Sequence, residues 1–430
     1  MLRRAAPEQT KREGQGGGEI SQASRYHSRD SIPPLKVRGP ASLNEFGVNI
    51  EQRKQNAVLG AFVADAATLG FHWLYDADRL AELAGDSPEF HEPNPSEYEG
   101  VAGYFAAEGK SAGDLSHYGV QLETALTSLF QCGGQWNRFH YQSVFCQTFD
   151  RGGSFRGYID GATAGTLDRL QKENRELIES SIQKAGSLTT SQTDFLHKYL
   201  PKKGAFCSGA DLEKAVLDMA GLMYKDEAVL SVMRSVVRHY DENRSALGAD
   251  DDQLPAVAKL PVVVARFAGA EDFEQVVEQA IRVTNDNDDA VLYGLYAART
   301  LESLILGGSI REALTTSLDS LSPRPKAKQK LSKALEYELG SLPELGKTFG
   351  PACPVSSGIP VATAILKEEP SFVSGVRNNI LVGGDNCGRS IWLGALLGAH
   401  HGLGGEQGVP FSWLARFRRF REILPMLDAI

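Results

Sequence analysis

The residues best suited to chemistry gather in a few short phrases, and the richest is Gly383-Gly-Asp-Asn-Cys-Gly-Arg389. Two glycines allow a tight turn, Asp385 can cap the helix that follows, and the free N–H groups beyond it make a natural anion site. A plain cap explains Asp385 but not the amide of Asn386 and the thiol of Cys387 beside it. Convergent polar groups of this kind mark a ligand-facing loop, with Gly384 and Asn386 as contacts. Cys387 sits where a helix dipole and the nearby Arg389 would stabilise a thiolate, as in a nucleophile or redox centre. The alternative is an inert thiol, since free Cys is commonly a small core residue.

A second phrase, Ser116-His-Tyr-Gly119, carries an imidazole and a phenol able to serve in acid/base or hydrogen-bond roles. Asp65 lies among apolar residues, where an unpaired carboxylate is costly, so it needs a partner: either a ligand pocket or a hydrogen bond joining two helices. The acidic clusters Asp250-Asp-Asp252 and Asp286-Asn-Asp-Asp289 precede helix-like runs, where Asp caps exposed N–H groups, and Pro255 suits a first helical turn. Neither has the spacing of an EF-hand. His400 and His401 point about 100° apart on a helix and do not chelate together easily. His72 and Trp73 read as an aromatic corner made by packing.

The elements that must position these groups read as helices. Val58, Phe62, Asp65 and Leu69 share one face, as do Leu122, Ala125, Leu126 and Leu129, and alternating strand patterns are almost absent. Val262–Val264 is the one serious strand candidate; its flanking prolines and the run to Gly269 favour helix. Ala57, Gly60, Ala61 and Ala64 would let a second helix approach closely, and Gly394, Gly398 and Gly402 strip one face of a late helix in the same way. Polar stretches at 171–203 and 322–333 read as surface excursions, and the arginines at 416, 418, 419 and 421 as a solvated face. No repeat of 20–50 residues is visible. One large all-α domain over 51–430 follows, preceded by a disordered arm at 1–50.

Composition sets the bounds. The 430 residues, with 42% hydrophobic and 23% charged, suffice for a large core, and a net charge of -9 argues against a general nucleic-acid binder. No apolar run approaches the ~20 residues of a membrane span. Five scattered cysteines without a CxxC pair suggest neither a disulfide framework nor a zinc ribbon, so a reducing compartment fits. Residues 1–40 hold eight Lys or Arg against four acids. The expected location is cytoplasmic, or an organelle lumen if the arm is a transit peptide; its acids speak for a plain tail.

Taken together, these phrases resemble the ADP-ribosylglycohydrolase superfamily. The segment Gly60–Gly70 resembles its early helix, Thr284-Asn-Asp-Asn-Asp288 its middle Thr-His-x-Asp element, and Gly384-Asp-Asn with the Gly-rich helix its late Gly-Gly-Asp-x-Asp motif. Ser116-His-Tyr-Gly-Val-Gln121, Phe155–Thr163 and Gly248–Gln253 look closer to a divergent branch holding the lens J-crystallins and selenoprotein J. The resemblance, spanning roughly 51–420, implies an orthogonal helical bundle with a central cleft. It also implies hydrolysis of bonds to ADP-ribose, aided in active members by two magnesium ions. The expected partner is thus a nucleotide or sugar ligand, or an ADP-ribosylated substrate. Only Ser116 and Asp385 match as oxygen ligands for magnesium, and an imidazole, a phenol and a thiol stand where the resemblance would place carboxylates. A degraded metal site, and no required cofactor, is the expectation. Asp385, Cys387 and His117 are the catalytic candidates. Ser116, Tyr118, Gln121, Asp251, Gln253, Asn285, Asp286, Gly384 and Asn386 are the ligand contacts. A fully active hydrolase drawing on Asp251 and Asp286, and a crystallin-like structural protein, are the alternatives.

Overall fold

The computed structural model describes residues 49–185, 189–190, 234–235, 237–239, 242–321 and 325–430. The arm expected at 1–50 lies outside the described residues except at 49–50, as do 186–188, 191–203 and 322–324 of the two polar stretches. The helices run in chain order as α1 Ile50–Thr68, α2 Ala77–Ala84, α3 His117–Gln131, α4 Arg138–Phe149, α5 Gly161–Ala185, α6 Pro255–Ala258, α7 Leu260–Phe267, α8 Phe273–Arg282 and α9 Asp288–Ile305. They continue as α10 Ile310–Thr316, α11 Pro325–Glu336, α12 Leu342–Phe349, α13 Val355–Leu366, α14 Phe372–Leu381, α15 Asn386–His401, α16 Phe411–Arg416 and α17 Phe420–Ile423. Among the described residues there is no β-strand, only single bridges between loops, so the all-α expectation holds. Val262–Val264 is helical within α7, and Pro255 opens α6 as expected.

Local chemistry starts many of these helices. Asn49, Asp76, Ser116, Asn137, Asn287, Ser309, Ser371 and Asp385 each accept a first-turn N–H with their own side chain. The cap of α9 is Asn287, with Asp288 and Asp289 in the first turn where they complement the dipole. The described parts of the polar stretches are mostly helical: α5 continues to Ala185, and α11 buries Ala327, Leu331 and Ala334 against the bundle.

The centre of the bundle is the pair α1 and α15, which run antiparallel. α1 is buried from Asn56 to Thr68 and α15 from Asn386 to Ala399, so both are enclosed on every side and neither needs a polar face. The face read from Val58, Phe62, Asp65 and Leu69 is therefore one of several buried faces of α1. The small residues expected on each helix meet. A Cβ on Gly60 would lie 2.3 Å from the Gly394 carbonyl oxygen, one on Gly394 2.4 Å from the Ala64 Cβ, and one on Gly398 2.3 Å from the Asn56 carbonyl oxygen. Any side chain at these glycines would force the backbones apart and cost about 1–3 kcal/mol or more. Gly402 plays another part, capping α15 with φ at 77°. The pairing sets the end of α1 beside the start of α15, and the start of α3 closes against both.

Candidate functional site

Two buried carboxylates define this junction. Asp65, near the end of α1, accepts the Ser116 N–H through Oδ2 at 2.9 Å and a very short bond from the Ser116 hydroxyl through Oδ1. Ser116 also caps α3 by accepting the N–H groups of Tyr118 and Gly119. A Cβ on Gly119 would fall 2.1 Å from Asp65 Oδ2, so the glycine is what lets α3 approach. Burial lifts Asp65 to about 7, against the pull of the Ser116 hydroxyl and amide. Its partner is thus the start of a second helix, the hydrogen-bonded alternative of the two weighed from the sequence.

Asp385 caps α15 by accepting Gly388 N–H through Oδ1 at 3.0 Å, and its Oδ2 accepts the Tyr118 hydroxyl at 2.7 Å. Burial works to raise this carboxyl, but the His72 imidazole, the Tyr118 hydroxyl, the Cys353 thiol and Arg389 together carry it below the usual carboxylate value. Gly383 and Gly384 precede it with φ of 78° and 67°, and a Cβ on Gly384 would strike the Pro351 carbonyl at 2.3 Å. Arg389 is nearly fully buried and spends its guanidinium on Asn379 Oδ1 and on the carbonyls of Pro351, Asn379 and Gly383, which fastens the turn from beneath.

Around Asp385 and the nearby Asp160 stand groups left without partners. His72 Nδ1 faces Asn386 Oδ1 at 3.3 Å and Asp385 Oδ1 at 3.8 Å, while its Nε2 is buried and unpaired. His117 Nε2, 3.7 Å from Asp160 Oδ2, makes no hydrogen bond, nor do Asn386 Nδ2 and Gln121 Oε1. Burial brings both imidazoles down to about 4, so each is neutral at pH 7. The His117 ring lies on Tyr118 with centroids 4.0 Å apart, and His72 stacks on Trp73 at 4.6 Å. Trp73, Tyr104 and Tyr158 pack edge to face outward from there, with Tyr104 51% exposed at the surface. Trp73 holds φ at 62°, a strained value for a bulky residue. Backbone bonds to Gly384 and Tyr104 hold it there.

Single bridges bring the remaining loops to this place: Leu74 to Gly384, Ala249 to Asn285 and Gln253 to Pro354. Asp160 caps the start of α5 through Thr163 and receives Gln121 Nε2 at 3.4 Å; burial raises its carboxyl. Asp251, also raised by burial, accepts Gln253 N and Nε2 and the Asn285 amide. Asn285 is anchored from behind by Thr284, which receives the wholly buried Lys259 Nζ at 2.7 Å.

Of the residues singled out from sequence, Ser116, His117, Tyr118, Gln121, Gly384, Asp385 and Asn386 come together, with Asp251, Gln253 and Asn285 on the adjoining loops. Two do not join them. Asp286 gives one oxygen to Arg169 and the other to Arg282, each at 3.0 Å, so it serves an ion-pair cluster and offers nothing to a ligand. Cys387 is fully buried against α1, receives the Thr68 hydroxyl at 3.4 Å, and burial pushes its thiol well up. Arg389 is engaged elsewhere, so a thiolate at Cys387 would lack its support, and of the two readings the burial favours the inert thiol. The thiol near Asp385 is that of Cys353, partly exposed, which the sequence did not single out. Asp160 was also missed, although the Asp-Gly-Ala-Thr163 phrase is a legible N-cap, and His72 and Trp73 belong to the site rather than to a packing corner. The described cysteines are all free, and His401 is held at the end of α15 by the Pro370 carbonyl. Ser116 is committed to Asp65 and the α3 cap, and Asp385 to Tyr118 and Gly388. Among the described residues no three His, Cys, Asp or Glu side chains are placed to hold a metal ion.

Residues 47–430 match the sequence profile of the ADP-ribosylglycohydrolases. The chain belongs to the ADP-ribosylglycohydrolase family. Two relatives are Crystallin J1A of Tripedalia cystophora, 26% identical over 382 residues (88% of this chain, 96% of that protein), and Crystallin J1B of the same animal. The latter is 24% identical over 386 residues, covering 89% and 97%. A solved structure titled ADP-ribosylglycohydrolase-related protein complex aligns over 88% of this chain and 97% of its own, at a TM-score of 0.49 and 14% identity. As expected from the sequence, no described helix is long and apolar enough to cross a membrane.

Proposed function

We propose that this protein binds an ADP-ribose-like or related nucleotide or sugar ligand at the Asp385 junction, without the binuclear magnesium centre of active family members. One observation carries the reading: His72 Nε2 and Asn386 Nδ2 beside Asp385, and His117 Nε2 and Gln121 Oε1 beside Asp160, are buried and unpaired. Each such atom costs about 1–3 kcal/mol unless something bonds to it. A sugar, with hydroxyls that both donate and accept, satisfies such a mixture. Asp385 is the anion that orients it, Tyr118 holds Asp385, and Tyr104 and Trp73 supply an aromatic wall for a base.

The residues present do not fit magnesium, which takes carboxylate, carbonyl and water oxygens in octahedral array. The oxygens of Asp385 and Ser116 are already bonded, and their neighbours are imidazoles, a phenol and a thiol. Conventional metal-assisted hydrolysis is therefore not part of the proposal. Nor do Asp251 and Asp286 supply a replacement, since each is engaged by side-chain donors.

A second reading rests on the names of the two relatives, both crystallins: a structural protein whose site is a relic. Calorimetric titration of the protein with ADP-ribose, with and without magnesium, separates these outcomes. Binding that is independent of magnesium is expected. Binding that requires the metal would overturn the metal-free site, and absence of binding together with no thermal stabilisation would favour the structural reading.

A further inference from the structure

We propose a separate anion site, for a small phosphorylated sugar, in a cavity of 340 Å³ lined by Lys110, Thr148, Ser154, Phe155, Arg156 and Arg419. The volume falls within the range of small-molecule pockets, at its lower end. Two acids, Asp114 and Glu123, also line it, and each has its own cation: Asp114 pairs with Arg418 at 3.2 Å, and Glu123 with Arg419. Two of the lining cations have no acid. Lys110 Nζ makes no hydrogen bond or ion pair among the described residues and sits 4.8 Å from the centroid of the Phe155 ring. Arg156 gives its guanidinium only to the carbonyls of Gly153 and Phe155.

This imbalance is what an anion would correct. Burial already holds the Lys110 amine below its ordinary value despite Asp114, Asp65 and Glu123 at longer range, so a counter-ion at close range would be stabilising. A phosphate group presents oxygens to an ammonium and a guanidinium at once. The Phe155 ring beside Lys110 offers an apolar face against which the carbon skeleton of a sugar can rest. Arg418 and Arg419, exposed as the solvated-face reading expected, neutralise the two acids and leave Lys110 and Arg156 free.

Titration of the full chain with ribose 5-phosphate tests this, with ribose and inorganic phosphate as companion probes. Ribose 5-phosphate should bind, inorganic phosphate more weakly, and ribose should show no binding that substitution of Lys110 or Arg156 alters. Lys110→Met should weaken binding about tenfold or more, and Arg156→Gln by a few fold, in line with loss of a charge-assisted bond. Affinity should fall as salt is raised. Arg156 is exposed, so its substitution tests the site even if Lys110→Met does not fold; Lys110→Arg, which keeps the charge, should bind. The site is disproved if the wild-type protein binds neither phosphate probe, or if Arg156→Gln and a folded Lys110→Met both bind as the wild type does.

Discussion

Asp65 and Asp385 are the same residue type, both fully buried, both close to the start of α3, yet their surroundings push them in opposite directions. Both oxygens of Asp65 are closed off by Ser116, with Gly119 packed against them, and the atoms around it are satisfied. Asp385 is held by Tyr118 and Gly388 while its neighbours His72, His117 and Asn386 keep unpaired atoms. Burial alone therefore does not identify a site. What distinguishes structure from function is whether the polar atoms next to a carboxylate have already found their partners within the chain.

The largest expected effect breaks the closed node. Asp65→Ala strips the acceptors from the Ser116 amide and hydroxyl at the centre of the bundle and should lower unfolding free energy by about 3 kcal/mol, measured by denaturant at pH 5. Ligand binding by the folded fraction should survive. The same node predicts a pH dependence of definite sign. Asp65 keeps its proton in the fold up to about pH 7, whereas in the unfolded chain it ionises near pH 4. Its contribution is complete below pH 4 and is lost as pH rises to about 7, by at most about 4 kcal/mol. Asp65→Asn cannot titrate, so the stability advantage of the wild type over it should shrink across that window. An advantage that stays constant would mean that Asp65 is ionised in the fold. Asp385, held low, behaves in reverse: its contribution is present above about pH 4 and fades as pH falls.

The open node is the next in size. Asp385→Asn removes the charge that orients the site but keeps the shape of the cap, so it should weaken ADP-ribose binding about tenfold or more, the equivalent of one charge-assisted bond. Its cost in stability should be smaller than that of Asp65→Ala. Equal losses of stability with unchanged binding would make the two nodes alike and leave Asp385 a cap and nothing more.

How much of this could be read in the chain depends on the range of the interaction. That α1 and α15 each take a close helix neighbour was legible because Gly60, Ala64, Gly394 and Gly398 are spaced for a helix face, and small residues at that spacing have few other uses; that they take each other was not. The cap at Asp385 was legible because capping is local. The links from Tyr118 to Asp385, from Cys353 to Asp385 and from Gln121 to Asp160 were not, since each joins segments far apart in sequence and the pairing exists only after the bundle closes. Asp286 misled partly for the same reason: one partner, Arg169, is 117 residues away, although the other, Arg282, stands four residues before it on the helix side and was there to be read. The left-handed backbone at Trp73, set by bonds to two other loops, has no sequence signature at all.

The two cysteines beside the open node give the smallest effect and the finest discrimination. Cys387 lies two residues beyond the cap of α15, a position where the helix dipole would favour a thiolate if solvent could reach it. Here α15 is enclosed, so the side chain turns toward Thr68 and α1, and the cost of burying a negative charge outweighs the dipole. Cys353 stands on the loop before α13, partly exposed, and burial with the neighbouring Asp385 carboxylate also pushes its thiol up. Neither is therefore poised as a nucleophile, but only Cys353 is within reach of a reagent. Native protein treated with iodoacetamide should label Cys353 slowly and leave Cys387 unmodified until unfolding, as read by peptide mass. Bound ADP-ribose should slow the labelling of Cys353, and Cys387→Ala should leave binding unchanged at a stability cost of about 1 kcal/mol. Fast labelling of Cys387 in the folded state would reverse the assignment, because a thiol that reacts from inside α15 would have to be a thiolate held there for chemistry.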